Sequence, residues 1–299
     1  MRTVLCSALV EAASRPDFVF LTGDLGYNAL EPLRAAMDER FINAGVAEQN
    51  MVSVAAGLAA SGLNTWAYSI APFLYGRPFE QIRNDVCLHD LPVKLVGNGG
   101  GYAYGVMGAT HHALEDYGTL LSLRGMNAFV PAFAADVPVI IRQLFDHAGP
   151  AYLRLGRDEK PKSFELPTYA PWRRLLSGGG AVVLAVGPLV GPIWAAAAAL
   201  SEARRPKMWV LTELPVRTES IPADFLDDVR SSDKLVVVEE HVAQGSVGYA
   251  LAAAFAALGK TPKTFKHLHA RGYISGLYGS QLFHRKESGL DPAAVLAAL

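Results

Sequence analysis

Cysteine is scarce: only Cys6 and Cys87 occur in 299 residues. Two thiols cannot build a disulfide framework, so a reducing cytoplasm is the expected compartment. A charge imbalance is missing too. Lys and Arg number 27 against 28 Asp and Glu, a net charge of -1, which removes the electrostatic case for nucleic acid, and no single-sign run suggests an interaction tail. No apolar stretch reaches roughly 18 residues without a charge, Gly or Pro, so no membrane span is expected. The opening segment, Met1 to Val10, superficially resembles a leader. Glu11 and Arg15 interrupt it, and the spacing of Leu5, Leu9 and Ala12/Ala13 predicts an amphipathic helix instead. There are no internal repeats, and low complexity is confined to Ala195–Ala199. No set of metal-ligating side chains stands out.

What remains is 51% hydrophobic and 18% charged, long enough for two domains at about 150 residues each. Short apolar runs alternate with helical stretches. Strands are predicted at Phe18–Leu21, Phe41–Asn43, Thr65–Ser69, Val93–Val96, Ala128–Val130 and Tyr152–Leu155. Helices are predicted near Leu30–Glu39, Gln49–Ala60, Pro78–Cys87, Ala113–Leu123 and Ala135–His147. That alternation implies an α/β fold with a mostly parallel, doubly wound sheet and sites at the carboxyl ends of its strands. Gly156 to Gly180, with Pro161, Pro167, Pro171 and three consecutive glycines, reads as an interdomain linker. The expected division is therefore 1–160, a linker at 161–177, and a second α/β domain at 178–299. In that domain strands Ala181–Val186, Met208–Leu211, Leu235–Glu239 and Thr264–Leu268 alternate with helices Trp194–Arg204, Ala223–Val229 and Ser246–Leu258.

Three elements carry candidate chemistry. Glu48, in Gly45-Val46-Ala47-Glu48-Gln49-Asn50-Met51, puts a carboxylate at the start of an apolar helix. A buried carboxylate is costly without a partner or a role; alternatively, it only complements the helix macrodipole. The second element, Tyr68 to Arg77, follows a strand. Phe73 or Tyr75 could offer a flat face to a heteroaromatic ring, or simply pack. The third runs from Gly97-Asn98-Gly99-Gly100-Gly101-Tyr102 through Gly105-Val106-Met107-Gly108-Ala109-Thr110-His111-His112. Glycines let backbone approach a ligand, and a histidine after such a loop is a candidate acid, base or donor.

Gly45–Met51, the loop Ser69–Arg77 and Thr110–Asp116, in that order, resemble the pyrimidine-binding domain of the transketolases. The later Val237-Val238-Glu239-Glu240-His241 and Gly245-Ser246-Val247-Gly248 are similar to the transketolase C-terminal domain. The resemblance covers almost the whole chain and implies thiamine diphosphate as cofactor. It also exposes an expected absence. The family holds the diphosphate and its Mg2+ or Ca2+ through a Gly-Asp-Gly motif followed some thirty residues on by Asn. Gly23-Asp24-Leu25-Gly26 lies at the wrong place for it and matches the pyrimidine domain instead. The resemblance thus implies a split enzyme, with a separate N-terminal subunit carrying the diphosphate domain and the metal. The helix Gln49–Ala60, nearly all small or apolar, reads as buried in a core or at a subunit interface. The resemblance implies packing against a dimer mate there, and so two copies of this chain at the centre of an α2β2 heterotetramer.

The resemblance also assigns roles. Glu48 would hydrogen-bond the pyrimidine N1′ and favour the imino tautomer, enabling transfer of a two-carbon ketol unit from a ketose to an aldehyde. Phe73 matches the aromatic against the pyrimidine ring, and Asp24, Tyr75 and Arg77 join it as cofactor contacts. His111 matches a donor to substrate oxygens. Arg157, with Arg2, matches phosphate-contacting arginines, and Asn28 falls where many members have a serine. Arg154 and Arg157 could instead be a solvated charge pair. Met107 stands where the family has an aspartate that contacts a substrate hydroxyl. Methionine cannot accept that bond, so a less polar or deoxygenated sugar from specialised metabolism is expected. Two other readings stay open: the β subunit of a 2-oxoacid dehydrogenase decarboxylase component and a non-catalytic scaffold subunit. Deoxyxylulose phosphate synthase fits less well, since it normally carries both cofactor domains on one chain.

Overall fold

A computed structural model describes residues 1–299. The β-branched and apolar runs form strands β1 (Phe18–Thr22), β2 (Phe41–Asn43), β3 (Asn64–Ile70), β4 (Lys94–Asn98), β5 (Asn127–Phe129) and β6 (Ala151–Leu155). Neighbouring strands among these six are parallel, and the seven-stranded sheet has the order β10-β5-β6-β4-β3-β1-β2. Its last member, β10 (Glu213–Leu214), returns from far along the chain to pair antiparallel with β5. A second, five-stranded sheet has the order β12-β11-β8-β9-β7. It comprises β7 (Trp172–Leu176), β8 (Val182–Val186), β9 (Lys207–Leu211), β11 (Lys234–Glu239) and β12 (Thr264–Leu268), all parallel except the edge strand β7.

Strand residues alternate between two helix layers. Phe18 and Phe20 pack with Leu5 and Leu9 of α1 (Arg2–Glu11), Leu33 of α2 (Glu31–Met37) and Leu144 of the later helix Val137–Asp146. Val19 and Leu21 face Met51, Val52 and Ala55 of α3 (Glu48–Ala60). The predicted amphipathic start is present as α1. That second core continues through Tyr117 and Leu214 to Leu184, Leu211 and Val237 of the other sheet, so one apolar cluster joins both units. Only one side of α3 is covered: Val54 is 39% exposed and Val46, just before the helix, 72%.

The remaining helices are α4 (Ala71–Gly76), α5 (Phe79–Gln81, continuing as a π turn over Ile82–Cys87), α6 (Asp116–Leu120), α7 (Val137–Asp146), α8 (Val190–Ala198), α9 (Ala223–Ser232), α10 (Val247–Leu258), α11 (Gln281–Glu287) and α12 (Pro292–Ala297). Three differences from the sequence reading have physical causes. The helix expected from Ala113 starts only at Asp116, because Ala113 pairs with Gly101 across the loop. The helix expected at Trp194 begins four residues earlier, with Pro192 in the first turn, where its missing N–H costs nothing. Strand β7 lies inside the 161–177 stretch read as linker; its Arg173-Arg174 pair and flanking prolines and glycines disguise an edge strand. No helix is long and apolar enough to cross a membrane.

Candidate active site

Glu48 opens α3 a few residues after β2 ends. Its N-cap, Ala47, offers no side-chain acceptor, so the carboxylate is the anionic group at that helix end. The residue is only 3% exposed. Ser69, near the end of β3, donates to Oε1 at 3.2 Å. Arg77 Nη1 donates to Oε1 at 3.0 Å and to Oε2 at 2.9 Å. The same guanidinium lies over Phe73, its central carbon 3.9 Å from the ring centroid. Arg77 keeps 45% of its side chain exposed against 2% for Glu48. A buried anion is therefore answered by a cation that reaches in from the surface across an aromatic face. Gly23 leaves space beside it: a Cβ there would stand 3.4 Å from Ser69 Oγ and 3.5 Å from Glu48 Oε1.

His111 meets Phe73 edge-on, ring centroids 5.2 Å apart, and lies 5.8 Å from Tyr104. Thr110 Oγ1 is 2.9 Å from its Nδ1, which leaves Nε2 as the outward nitrogen. Asn98 donates to Tyr104 Oη at 2.8 Å from the end of β4. Burial pushes the pKa of the Tyr68 phenol up, and the nearby Arg2 cation opposes the shift. Asp24 (φ 55°) accepts from Asn43 Nδ2 at 2.8 Å, and Asn28 (φ 59°) holds the turn before α2 through a 2.7 Å bond from its N–H to Glu31. Met107, 53% exposed, sits in a 3-10 turn, and Arg157 is exposed just beyond β6. Asp24, Asn28, Glu48, Phe73, Arg77, Met107, His111 and Arg157 thus all leave the carboxyl ends of parallel strands, where such sheets bind ligands.

Two expected contacts do not join them. Arg154 is buried: Nε donates to Asp116 at 2.8 Å, and Nη2 to the carbonyls of Ala113 and Glu240 at 2.7 and 2.9 Å. Strand β6 lies between β4 and β5, so residue 154 faces packed protein, and its charge serves the Asp116 pair rather than a ligand. It is no solvated partner of Arg157 either. The Tyr75 ring packs against the apolar core shared by both sheets, and its hydroxyl donates to Glu115 at 3.0 Å. Burial and the carboxylates of Glu115 and Asp116 hold that phenol protonated. Sequence reasoning missed Ser69, Asn98 and Tyr104. Their signal was position alone: each lies at a strand end or in the loop that follows.

Chemically, the arrangement offers a carboxylate shielded from water, an aromatic face beside it and an imidazole donor at the ring's edge. A shielded carboxylate shares a proton strongly with a ring nitrogen, because water does not compete.

A profile of the transketolase pyrimidine-binding domain matches residues 1–162. One of the subunits of an apulose-4-phosphate transketolase from Actinobacillus succinogenes is 31% identical over 89% of this chain and 86% of its own length. A putative transketolase C-terminal section from Methanocaldococcus jannaschii is 30% identical over 89% and 85%. A solved split-gene transketolase, described as an inactive β4 tetramer, superposes with a TM-score of 0.82 at 30% identity, covering 99% of this chain and 95% of that one. The chain therefore belongs to the transketolase family, and across nearly its whole length it corresponds to the pyrimidine-binding domain and the α/β unit that follows it.

Proposed function

We propose that this chain is the pyrimidine-binding subunit of a two-subunit thiamine-diphosphate transketolase, moving a two-carbon ketol unit from a ketose to an aldehyde. One observation carries the reading: Arg77 bridges the buried Glu48 carboxylate to the Phe73 face, with His111 at that ring's edge. The residues fit the pyrimidine half of the cofactor. Glu48 supplies an anionic acceptor whose only cationic partner is a half-exposed arginine, and Gly23 keeps the neighbouring space free of a side chain.

When bound, thiamine diphosphate supplies the carbanion that breaks and remakes the carbon–carbon bond beside the carbonyl. Everything else falls to side chains. Glu48 holds a proton against the pyrimidine N1′ in a dry setting. Phe73 offers its face to the ring; Arg77 covers that face in the free chain, so ring and guanidinium compete for it. His111 donates from Nε2 to a substrate oxygen. Arg157, Arg2 and Asn28 line the rim, where arginine suits anionic oxygens. Met107 offers no acceptor, which favours a substrate lacking the usual hydroxyl at that place.

The diphosphate and its Mg2+ or Ca2+ belong, on this reading, to a partner subunit in an α2β2 assembly in the cytoplasm, with two copies of this chain meeting through the uncovered side of α3. Residues 1–160 form the cofactor-binding domain, and the second begins with β7 at Trp172, ahead of the 178–299 read from the sequence. The test is reconstitution. This chain, a partner bearing the diphosphate domain, thiamine diphosphate and Mg2+ are given hydroxypyruvate, the smallest acid carrying a ketol group, with glycolaldehyde as acceptor. Ketol transfer that needs both chains supports the proposal; no transfer with either chain or both overturns it.

A further inference from the structure

The loop carrying Met107 and His111 has little apolar substance of its own, and five of its residues between Gly99 and Gly108 are glycine. The first unit holds its start, through the N–H groups of Gly99 and Gly100 to Leu155 O and through Asn98 to Tyr104, and the second unit holds Tyr102 and the turn that follows. Tyr102 N–H donates to Glu240 Oε1 at 2.7 Å. Glu240 is 5% exposed and also accepts from Gln281 and from Arg285, whose Nε lies 2.9 Å away and whose Nη1 reaches Glu159 at 2.7 Å. Tyr102 Oη lies between Gly272 O and Ser288 Oγ. A Cβ on Gly101 or Gly108 would collide with Glu240 or with Tyr278 at 2.7 Å, so the loop lies directly against this unit.

His112 is the second anchor. It is 3% exposed, stacked on Tyr273 with 14° between the planes and edge-on to Tyr102 and His284. Nε2 is 2.8 Å from Gly105 O, a carbonyl that can only accept, so Nε2 carries the proton. Nδ1 then accepts from the Tyr273 hydroxyl at 2.9 Å. One ring thereby ties the turn holding Met107 to the other unit. The N–H groups of His111 and His112 both point to Gly108 O, at 2.9 and 3.2 Å, so the two histidines share one turn. Fixing His112 fixes His111.

We propose that Tyr273 and Glu240 are positioning residues for the reaction: through His112 and Tyr102 they set where His111 and Met107 stand over the site. The second unit touches no reacting atom, yet it determines how well the substrate contacts are preorganised. The proposal rests on the reading of His111 as a substrate contact.

The test uses the reconstituted two-subunit enzyme with hydroxypyruvate and glycolaldehyde. Tyr273→Phe keeps the stacked ring and removes one hydroxyl. It should speed amide hydrogen exchange across residues 105–112 about tenfold and lower kcat/KM about tenfold, the scale of one buried hydrogen bond. Thiamine diphosphate affinity should stay within about twofold, because Glu48 and Phe73 lie on other loops. His112→Gln, whose amide can donate to Gly105 and accept from Tyr273, should retain most of kcat/KM, whereas His112→Phe should not. Glu240→Gln provides an independent arm if Tyr273→Phe fails to fold: it should loosen 105–112 in the same way. Unchanged exchange and kinetics in these variants overturn the proposal, as does an equal loss of cofactor affinity and kcat/KM, which would mark a purely structural contact. If the unmodified enzyme transfers no ketol unit, the proposed function fails, and the exchange readout alone decides whether the second unit holds the loop.

Discussion

Replacing Arg77 by alanine probes the site at its most exposed joint. In the free chain, Arg77 makes charge-assisted bonds to both oxygens of Glu48 and covers the Phe73 face. A fully buried bond of this kind contributes about 1.5–3 kcal/mol. With 45% of the arginine side chain exposed, screening reduces that to about 1 kcal/mol, and the contact with Phe73 adds about 0.5–1 kcal/mol. The sum, roughly 1.5–2 kcal/mol, stabilises only the free form if the pyrimidine ring needs the same face. Arg77→Ala should therefore destabilise the free chain by about that much, read as a lower midpoint in urea. The same difference should reappear with opposite sign in cofactor binding, as a roughly ten- to thirty-fold tighter Kd for thiamine diphosphate by calorimetry on the reconstituted enzyme. Weaker cofactor binding in the variant would refute this reasoning and make Arg77 a direct cofactor contact.

Other outcomes follow from the same residues. Met107→Asp should restore an acceptor over the site and raise kcat/KM for xylulose 5-phosphate by about tenfold; an unmodified enzyme that already uses xylulose 5-phosphate and ribose 5-phosphate at housekeeping rates would rule out a specialised substrate. Burial lowers the pKa of His112, His147 and His241 in the fold. Below about pH 6.5 the unfolded chain then binds more protons than the folded one, so the Tm should fall from pH 7 towards pH 5, and a flat or rising profile would contradict the buried neutral rings. Lys94, fully buried, donates to the carbonyls of Pro92, His147 and Gly149. Lys94→Met should orphan those acceptors and cost about 2–4 kcal/mol in urea unfolding. Val54→Lys, on the uncovered side of α3, should block self-association in sedimentation while leaving the circular dichroism of the chain unchanged.

Strands β1 to β6 were legible to within about two residues, because buried parallel strands read as continuous apolar runs between turn signals. Glu48, Phe73 and His111 stand out in the sequence by their order along the chain and their place after strands, and the fold brings them to the same end of the sheet. Other features leave no local trace. Arg154 and Arg157 look alike in sequence, yet one lies inside a central strand and the other just beyond it. Nothing local marks the role of His112, because its partner Tyr273 lies more than 150 residues later. The segment after β12 holds α11 and α12, which went unread: glycines precede them, each spans fewer than eight residues, and their partners are other elements rather than their own periodicity.

The central claim is that Glu48 is the carboxylate that activates the cofactor's pyrimidine. The direct measurement is steady-state ketol transfer from hydroxypyruvate by the reconstituted enzyme carrying Glu48→Gln, with cofactor occupancy checked by calorimetry. The account predicts a loss of roughly 10²–10⁴ in kcat with the cofactor still bound. Unchanged turnover at full occupancy would contradict it.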